Sequence, residues 1–306
     1  MALLECVPNV SEGRDPARVA AFAETLRQVP GAWLLDVHAD PVHNRSVFTL
    51  AGGPAALVEA AVRLTRAAIA AIDLRRHAGV HPRLGAIDVI PFVPLQTTPM
   101  AAAVAAADEA ARRIGDTLEL PVYLYESAAR VPARRRLEDV RRGQFEGLAA
   151  RMQTPDGQPD AGPATPHPTA GAVAVGARDI LVAFNVTLAS DRLEAARAVA
   201  RAVRASTGGL PCLKAMGVDL PDRGVVQVSM NLTDYRVTTA ADAFDAVSRE
   251  AARLGLRVAA SELVGLMPVA ALGGRHPGDL LIADWHAGRL LETRLAELRG
   301  ATRPPA

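Results

Sequence analysis

Lysine is almost absent from this sequence of 306 residues, since Lys214 carries the single ammonium group and all other basic side chains are arginines. Any mechanism that requires a lysine is therefore a claim about one position. The sequence also has only six phenylalanines, three tyrosines and two tryptophans. These are too few for the aromatic stacking surfaces that bind single-stranded nucleic acid.

The sequence has no excess of charge of either sign. Its 34 basic and 33 acidic residues give a net charge of +1, which argues against bulk electrostatic binding to nucleic acid or anionic lipid. Cys6 and Cys212 are too far apart for a disulfide framework or a cysteine zinc site. No apolar run reaches the ~20 residues that cross a bilayer, and the N-terminus is unlike a signal peptide. We therefore expect a cytoplasmic protein that binds neither nucleic acid nor membranes.

The pattern of apolar runs and Gly/Pro breaks occurs twice along the chain. In each half it predicts strands and helices in the order β-α-β-β-α-β, which is the order of the ferredoxin-like split βαβ unit. The predicted strands are 3–7, 32–38, 46–51 and 86–93, then 180–188, 213–218, 225–232 and 256–263. The sequence thus predicts an α+β fold with two ferredoxin-like subdomains, 1–178 and 179–306, and extra helices such as 99–118.

Histidine and aspartate are concentrated in the first half. Asp36, His38, Asp40 and His43 cluster around the turn that follows the second strand, and His77 and His81 lie in a Gly/Pro-marked loop before the fourth. Pro82 keeps the backbone of His81 extended, so this side chain stands on a rigid loop. Imidazole has an ordinary pKa near 6.5, which suits proton transfer at neutral pH. We favour a functional role for His81 over a structural one.

A metal site is the alternative interpretation of the same histidines. His77 and His81 could bind zinc together with His38, Asp36 or His43. However, the His-x-x-x-His spacing is a helix motif, and the glycine and proline in this loop disfavour a helix. We therefore predict a site without a metal ion.

Arginines offer a means of binding an acidic substrate. Arg45 and Arg83 flank the two histidine-bearing segments, and a guanidinium binds carboxylates in a bidentate manner. The alternative for each is an ion pair with a nearby aspartate. The arginines at 134–136 and 141–142 are interspersed with acidic residues, so we expect them on a solvated helix face. The segment 154–171 carries five prolines without periodicity, which is typical of a domain boundary or a functional loop.

Six separated segments of the sequence resemble the formiminotransferase family. They are ECVPNVSEGR at 5–14, LLDVHADPVHNRSVFTLAG at 34–52, HAGVHPRLGAIDVIPFVP at 77–94, PVYLYESAAR at 121–130, GAVAVGARDILVAFNV at 171–186 and SELVGLMPVAAL at 261–272. The resemblance implies transfer of a formimino group between N-formimidoyl-L-glutamate and tetrahydrofolate, in histidine degradation and one-carbon metabolism. It also implies two α/β subdomains with the folate site in the cleft between them.

The resemblance assigns roles to individual residues. The family's catalytic histidine lies in the HPR motif, which is His81 here, and His38 and Asp36 complete the predicted catalytic set. The family's folate-binding stretch corresponds to Asp160, Gly162, Pro163, His167, Pro168 and Thr169. Further candidates for contacts with tetrahydrofolate are Asn9, Asn185 and Lys214. Candidates for binding the substrate are Arg45, Arg83 and Asn44.

One departure from the family bears on the chemistry. His38 stands where mammalian-type members have an acidic residue, so either Asp36 or Asp40 must orient the catalytic imidazole, or His38 has a different part. Two alternatives to the transferase stay open. One is a folate-binding or 5-formyltetrahydrofolate-handling protein without glutamate transfer, and the other is a metal-dependent hydrolase built on the His/Asp cluster.

The resemblance also bears on partners. Bifunctional relatives continue into a cyclodeaminase domain, so we expect that activity, if present, on a separate polypeptide. Ferredoxin-like units expose sheet edges and faces that pair, so we expect a homodimer.

Overall fold

The structure is a computed structural model that describes residues 2–301, without the side chains of residues 299–301. The end of the predicted second subdomain, 302–306, lies outside the described residues. Tertiary contacts divide the chain into two units, of which the first ends at Asp179 and the second begins at Ile180. Each unit has its own sheet and its own hydrophobic core, so the predicted α+β class is confirmed.

The first unit contains a mixed sheet. Its strands are β1 (Leu4–Cys6), β2 (Asn9–Val10), β3 (Ala32–Asp40), β4 (Arg45–Gly52), β5 (Ile87–Pro94), β6 (Val122–Glu126) and β7 (Val173–Ala177). Its helices are α1 (Pro16–Arg27), α2 (Pro54–Ala71), α3 (Met100–Leu118), α4 (Leu137–Val140) and α5 (Gln144–Arg151). β1 and β2 share one position between β4 and β5, and β3 forms the edge beyond β4. Beyond β5, the sheet continues with the parallel strands β7 and β6.

The second unit contains an antiparallel sheet. Its strands are β8 (Val182–Leu188), β9 (Leu213–Leu220), β10 (Val225–Leu232) and β11 (Val258–Val264). Its helices are α6 (Leu193–Val203), α7 (Ala240–Arg253) and α8 (Leu291–Ala301). The strands lie in the order β11-β8-β10-β9, so the first and third strands of the unit are central. None of the helices within residues 2–301 has both the length and the hydropathy of a membrane-spanning segment.

Strand β7 is an element that the sequence pattern did not predict. It lies between two parallel strands and all five of its residues are buried. Strands that are covered on both faces lack the alternation of polar and apolar residues that marks a half-buried strand. Its Gly176 is required by packing, because a Cβ there would lie 2.4 Å from Cδ1 of Tyr125.

The alternation of side chains along β3 places two predicted site residues. Val37 pairs with Phe48, which lies in the helix-covered core, whereas Asp36 and His38 point to the opposite face of the sheet. β3 runs two residues beyond its predicted end, so the prediction that these residues cluster around a turn was wrong for Asp36 and His38. Asp36 and His38 are strand residues, Asp40 is the last residue of β3, and His43 lies in the turn that follows.

Close packing of α6 on β9 gives a test of the second unit. A Cβ on Gly217 would lie 2.6 Å from the main-chain N of Arg197 and 2.8 Å from the main-chain carbon of Ala196. We expect Gly217→Ala to displace the helix and to lower the free energy of unfolding by about 1–3 kcal/mol, measured by urea denaturation.

Gly147→Ala on α5 is the matched control, because a Cβ there meets no atom within 4 Å. Alanine favours helix more than glycine does, so this variant should be unchanged or more stable by up to about 1 kcal/mol. A Gly217→Ala protein as stable as the Gly147→Ala protein would contradict the packing described.

Candidate active site

A fully buried carboxylate, that of Asp88 on β5, organises the polar part of the first unit. Its Oδ1 accepts a hydrogen bond from the main-chain N–H of Leu84 at 2.7 Å. Its Oδ2 accepts from Nη1 of Arg45 at 2.7 Å and from Nη2 of Arg141. Burial by itself would raise the pKa of this carboxyl, but Arg141 and Arg45 outweigh burial and hold the pKa well below its usual range. Asp88 is therefore an ionised group that ties the loop before β5 to β4 and to the end of α4.

Arg45, at the start of β4, is held by protein groups on two sides. Its side chain is 8% exposed, and besides the pair with Asp88 its Nε donates to Oδ1 of Asn9 at 3.0 Å. Asn9 in turn donates to the carbonyl of Val7 at 2.8 Å. Burial lowers the pKa of the Arg45 guanidinium to about 10, although Asp88 opposes that shift. The structure thus brings two predicted binding residues, Arg45 and Asn9, into contact with each other.

His81 lies in the loop before β5 with its ring oriented by the backbone. Its Nδ1 is 2.6 Å from the carbonyl oxygen of Pro82. Because a carbonyl only accepts, Nδ1 carries the proton and Nε2 keeps its lone pair. Burial lowers the pKa of His81 well below its usual value, and Arg45 and Arg141 lower it further, against the opposing effect of Asp88. At neutral pH this residue is an uncharged imidazole, which is the form that a general base requires.

A second imidazole, that of His43, lies beside His81. The two ring centroids are 6.1 Å apart and the ring planes are inclined by 57°. His43 is in the turn between β3 and β4, where its Nδ1 lies 3.1 Å from Oδ2 of Asp40. The other oxygen of Asp40 accepts from the main-chain N–H groups of Val42 and His43, at 2.7 and 2.8 Å. The carboxylate of Asp40 is therefore committed to His43 and to the turn.

Asn44 joins three loops around the two histidines. Its Oδ1 accepts from the main-chain N–H of Gly13 at 3.0 Å, and its Nδ2 donates to the carbonyl of Ala78 at 3.0 Å. Its own carbonyl accepts from Nε2 of His77 at 3.0 Å. Both ends of the side-chain amide are used within the fold, so Asn44 positions the loop that carries His81. Its predicted role in binding the substrate stays a prediction.

Arg83 forms a bidentate ion pair that the sequence did not predict. Its Nη1 and Nη2 lie 2.9 and 2.6 Å from the two carboxylate oxygens of Glu146 on α5. Arg83 and Arg45 both form an intramolecular ion pair, which was the alternative to binding a carboxylate of the substrate. The partner of Arg83 is a glutamate that lies 63 positions away in the sequence, which explains why sequence reasoning did not find it.

The geometry gives no support to a metal site on His77 and His81. The short 3-10 helix that precedes the loop ends at Arg76, so the two histidines do not share a helix face. One ring nitrogen of each is bonded to a carbonyl oxygen. Among residues 2–301, no group of three potential ligands includes either histidine.

The proline-rich segment is anchored at Asp160. Its Oδ2 accepts from the main-chain N–H of Leu124 at 2.7 Å and pairs with Nη1 of Arg134. Gly162 has a φ of +79°, and a Cβ there would lie 2.4 Å from the carbonyl oxygen of Leu120. These two residues of the predicted folate stretch fix the path of the segment.

The rest of that stretch forms a turn around His167. Its Nδ1 accepts from the main-chain N–H groups of Thr169 and Ala170, at 3.3 and 3.0 Å. Burial lowers the pKa of His167, so this ring is a neutral acceptor at Nδ1. Pro163 is half-buried and Pro168 is exposed. Contact of this stretch with folate stays a prediction.

Two predicted binding residues belong to the second unit. Asn185 is buried on the central strand β8, where its Oδ1 accepts from the main-chain N–H of Met230 at 3.3 Å. Its Nδ2 lies 3.5 Å from a carboxylate oxygen of Glu262. Lys214 is half-buried on the edge strand β9 and lies opposite Asn231.

Two arginines were placed wrongly by the sequence pattern. Arg134 and Arg141 were expected on a solvated helix face, but their side chains are only 7% and 16% exposed. Each pairs with a buried aspartate, Asp160 and Asp88 respectively. The available signal was Asp88 itself, the one charged residue in the otherwise apolar run IDVIPFVP, because a buried carboxylate requires a cationic partner.

Known proteins resemble the chain over both units. The formiminotransferase domain, N-terminal subdomain, matches residues 3–178, and the formiminotransferase domain matches residues 183–275. The glutamate formimidoyltransferase of Streptococcus pyogenes serotype M1 is 43% identical over 270 residues, covering 88% of this chain and 90% of the relative. That of Thermoplasma acidophilum is 42% identical over 297 residues, covering 96% and 98%. The formimidoyltransferase-cyclodeaminase of Rattus norvegicus is 40% identical over 276 residues, covering 88% of this chain and 51% of the relative.

Removal of the buried carboxylate should destabilise the first unit. Asp88→Asn leaves Arg45 and Arg141 buried without an anionic partner, and breaking a buried pair in this way costs about 3–5 kcal/mol. We expect a loss of that size in the free energy of unfolding, measured in urea.

Asp116→Asn is the matched control, because this carboxylate pairs with Arg112 on the surface of α3 and both side chains are about 60% exposed. An exposed pair contributes at most about 1 kcal/mol. Equal stability of the two variants would show that Asp88 does not have the organising part described.

Proposed function

Since the chain belongs to the formiminotransferase family, we propose that it is a glutamate formimidoyltransferase with tetrahydrofolate as co-substrate. The relatives that match nearly the whole chain carry that activity in their names. In the first unit, the observation that carries the proposal is His81, an uncharged imidazole whose Nδ1 is held by a carbonyl. Transfer between two nitrogens requires a base, and Nε2 of this ring is suited to that task.

The reaction moves an amidine carbon from one nitrogen to another. The carbon of N-formimidoyl-L-glutamate is electrophilic once its nitrogen is protonated, and N5 of tetrahydrofolate attacks it. The intermediate carries three nitrogens on one carbon, and N5 must lose its proton. We assign that proton to Nε2 of His81, since a positioned base of this kind contributes about 10²–10⁴-fold to the rate. Holding both substrates close together in one site supplies a further part of the rate enhancement.

The charges near His81 suit an acidic substrate. Arg45 and Arg141 share the single carboxylate of Asp88, so this cluster keeps one positive charge in excess. A positive group in a partly buried site attracts carboxylates. We propose that Arg45 acts on the substrate through this excess charge. The charge of Arg83 is already neutralised by Glu146, so we expect Arg83 to attract the substrate less strongly than Arg45 does.

We further propose that the segment from Asp160 to Thr169 binds folate and that Asn9, Asn185 and Lys214 contribute. The anchors at Asp160 and His167 support this, because a preformed loop loses little entropy on binding. The proposed subdomains are 1–178, with the histidine loop, and 179–306. We expect a homodimer in the cytoplasm that works without a metal ion.

The base assignment is tested by replacing the imidazole. His81→Ala should lower the rate of formimino transfer by about 10² or more, because the base positioned for the N5 proton is then missing. Its affinity for tetrahydrofolate should be largely intact, measured by equilibrium fluorescence titration.

His286→Ala is the control, since this histidine is exposed in the second unit. The assay is run with N-formimidoyl-L-glutamate and with 5-formyltetrahydrofolate as donors. Turnover of the His81→Ala protein near the wild-type rate would overturn the base assignment. Binding of folate by the wild type without glutamate transfer would overturn the proposed function itself.

A further inference from the structure

The reaction contains a second proton transfer that His81 does not explain. The tetrahedral intermediate collapses forward only when the glutamate nitrogen takes up a proton, because an amine leaves as a neutral group. That nitrogen and N5 are attached to the same carbon. The group that serves the leaving nitrogen must therefore lie close to His81 and on the other side of the carbon.

His43 has the position that this task requires. Two nitrogens on one tetrahedral carbon are about 2.4 Å apart, given single C–N bonds of about 1.45 Å. A base and an acid that each lie about 3 Å from one of the nitrogens are then separated by roughly 3–8 Å. The ring centroids of His43 and His81 are 6.1 Å apart, a spacing that allows one nitrogen of each ring to serve one of the two substrate nitrogens.

The contacts of His43 also suit an acid. Its Nδ1 donates to the carboxylate of Asp40, so Nε2 is the nitrogen left for a substrate, and in the imidazolium form of the ring it carries a second proton. Burial opposes ionisation of Asp40, but hydrogen bonds from His43 and Val42 outweigh burial and lower its pKa to about 2. An ionised carboxylate in this position orients the ring and balances the charge of an imidazolium.

The two imidazoles have neighbours of opposite charge. The charges of Arg45 and Arg141 act on His81 and favour its neutral form, and the charge of Asp88 opposes them. His43 pairs with the carboxylate of Asp40, and the His81 ring is its aromatic neighbour. Pairs of titratable groups in contrasting surroundings are typical of an acid and a base that act together.

We propose that His43 is the general acid that protonates the departing glutamate nitrogen, an inference that rests on the proposed function. In the forward direction the bond from N5 to the carbon forms while the π pair of the protonated C=N bond moves to the imino nitrogen, and the N5 proton moves to Nε2 of His81. The proton on Nε2 of His43 then moves to the glutamate nitrogen, the electron pair of the breaking C–N bond stays on that nitrogen, and the imino nitrogen's pair forms the C=N bond again. One proton has passed from His43 to His81 by way of the substrates, and exchange with solvent resets both rings.

The experiment uses two variants that separate chemistry from structure. His43→Asn keeps an N–H donor for Asp40 but has no proton to give, whereas His43→Ala opens space for a small molecule. We expect kcat for formimino transfer to fall by about 10² or more in both, with KM values near those of the wild type. Added imidazole should restore turnover of the His43→Ala protein, and substituted imidazoles should do so in proportion to their acidity.

His286→Asn is the control for the substitution, and thermal unfolding checks that all variants fold. Wild-type kcat in the His43→Asn protein would overturn the proposal, since it would leave His43 only the part of a hydrogen-bond donor. Loss of kcat in both variants without rescue by any imidazole would also count against it. If the wild-type protein itself does not transfer a formimino group, the proposed function fails before this test begins.

Discussion

The buried carboxylate of Asp88 is the constraint on which the first unit depends. It accepts from Leu84, Arg45 and Arg141, so it joins the loop of His81 to one strand and one helix. A carboxylate without access to water is tolerated only with such partners. The same contacts set the chemistry, because two guanidinium groups against one carboxylate favour the neutral imidazole nearby. Stability and reactivity thus have a common origin in one charge cluster.

Much of the fold follows from local patterns in the sequence. The apolar runs of β3 and β4, which are bounded by glycine and proline breaks, and the proline at the start of α1 determine those elements with neighbours only a few residues away. The strand β7 did not follow, because a run of alanine, valine and glycine buried on both faces has no polar alternation. Strand β3 ends two residues later than predicted, because the sequence specifies the ends of strands only weakly.

The sequence indicates which residues belong to the candidate site, but it does not indicate which side chains pair with each other. The loop with His81 stands out by its glycine and proline content, but the partners of Arg45 and Arg83 lie 43 and 63 positions away. Pairings at that range depend on the sheet register and on where α5 packs. The carboxylate of Asp40 orients the ring of His43 in this structure, whereas the sequence alternatives had considered it for the ring of His81.

The proposed chemistry requires most of all that His81 is uncharged because of its surroundings. The direct test is an NMR titration of the protein with isotope-labelled histidine, which follows the His81 ring as the pH is lowered. Burial, Arg45 and Arg141 disfavour the imidazolium, so the midpoint for His81 should lie well below about 6.5 and should move upward in Arg141→Gln. A midpoint at or above 6.5 in the wild type would contradict the account.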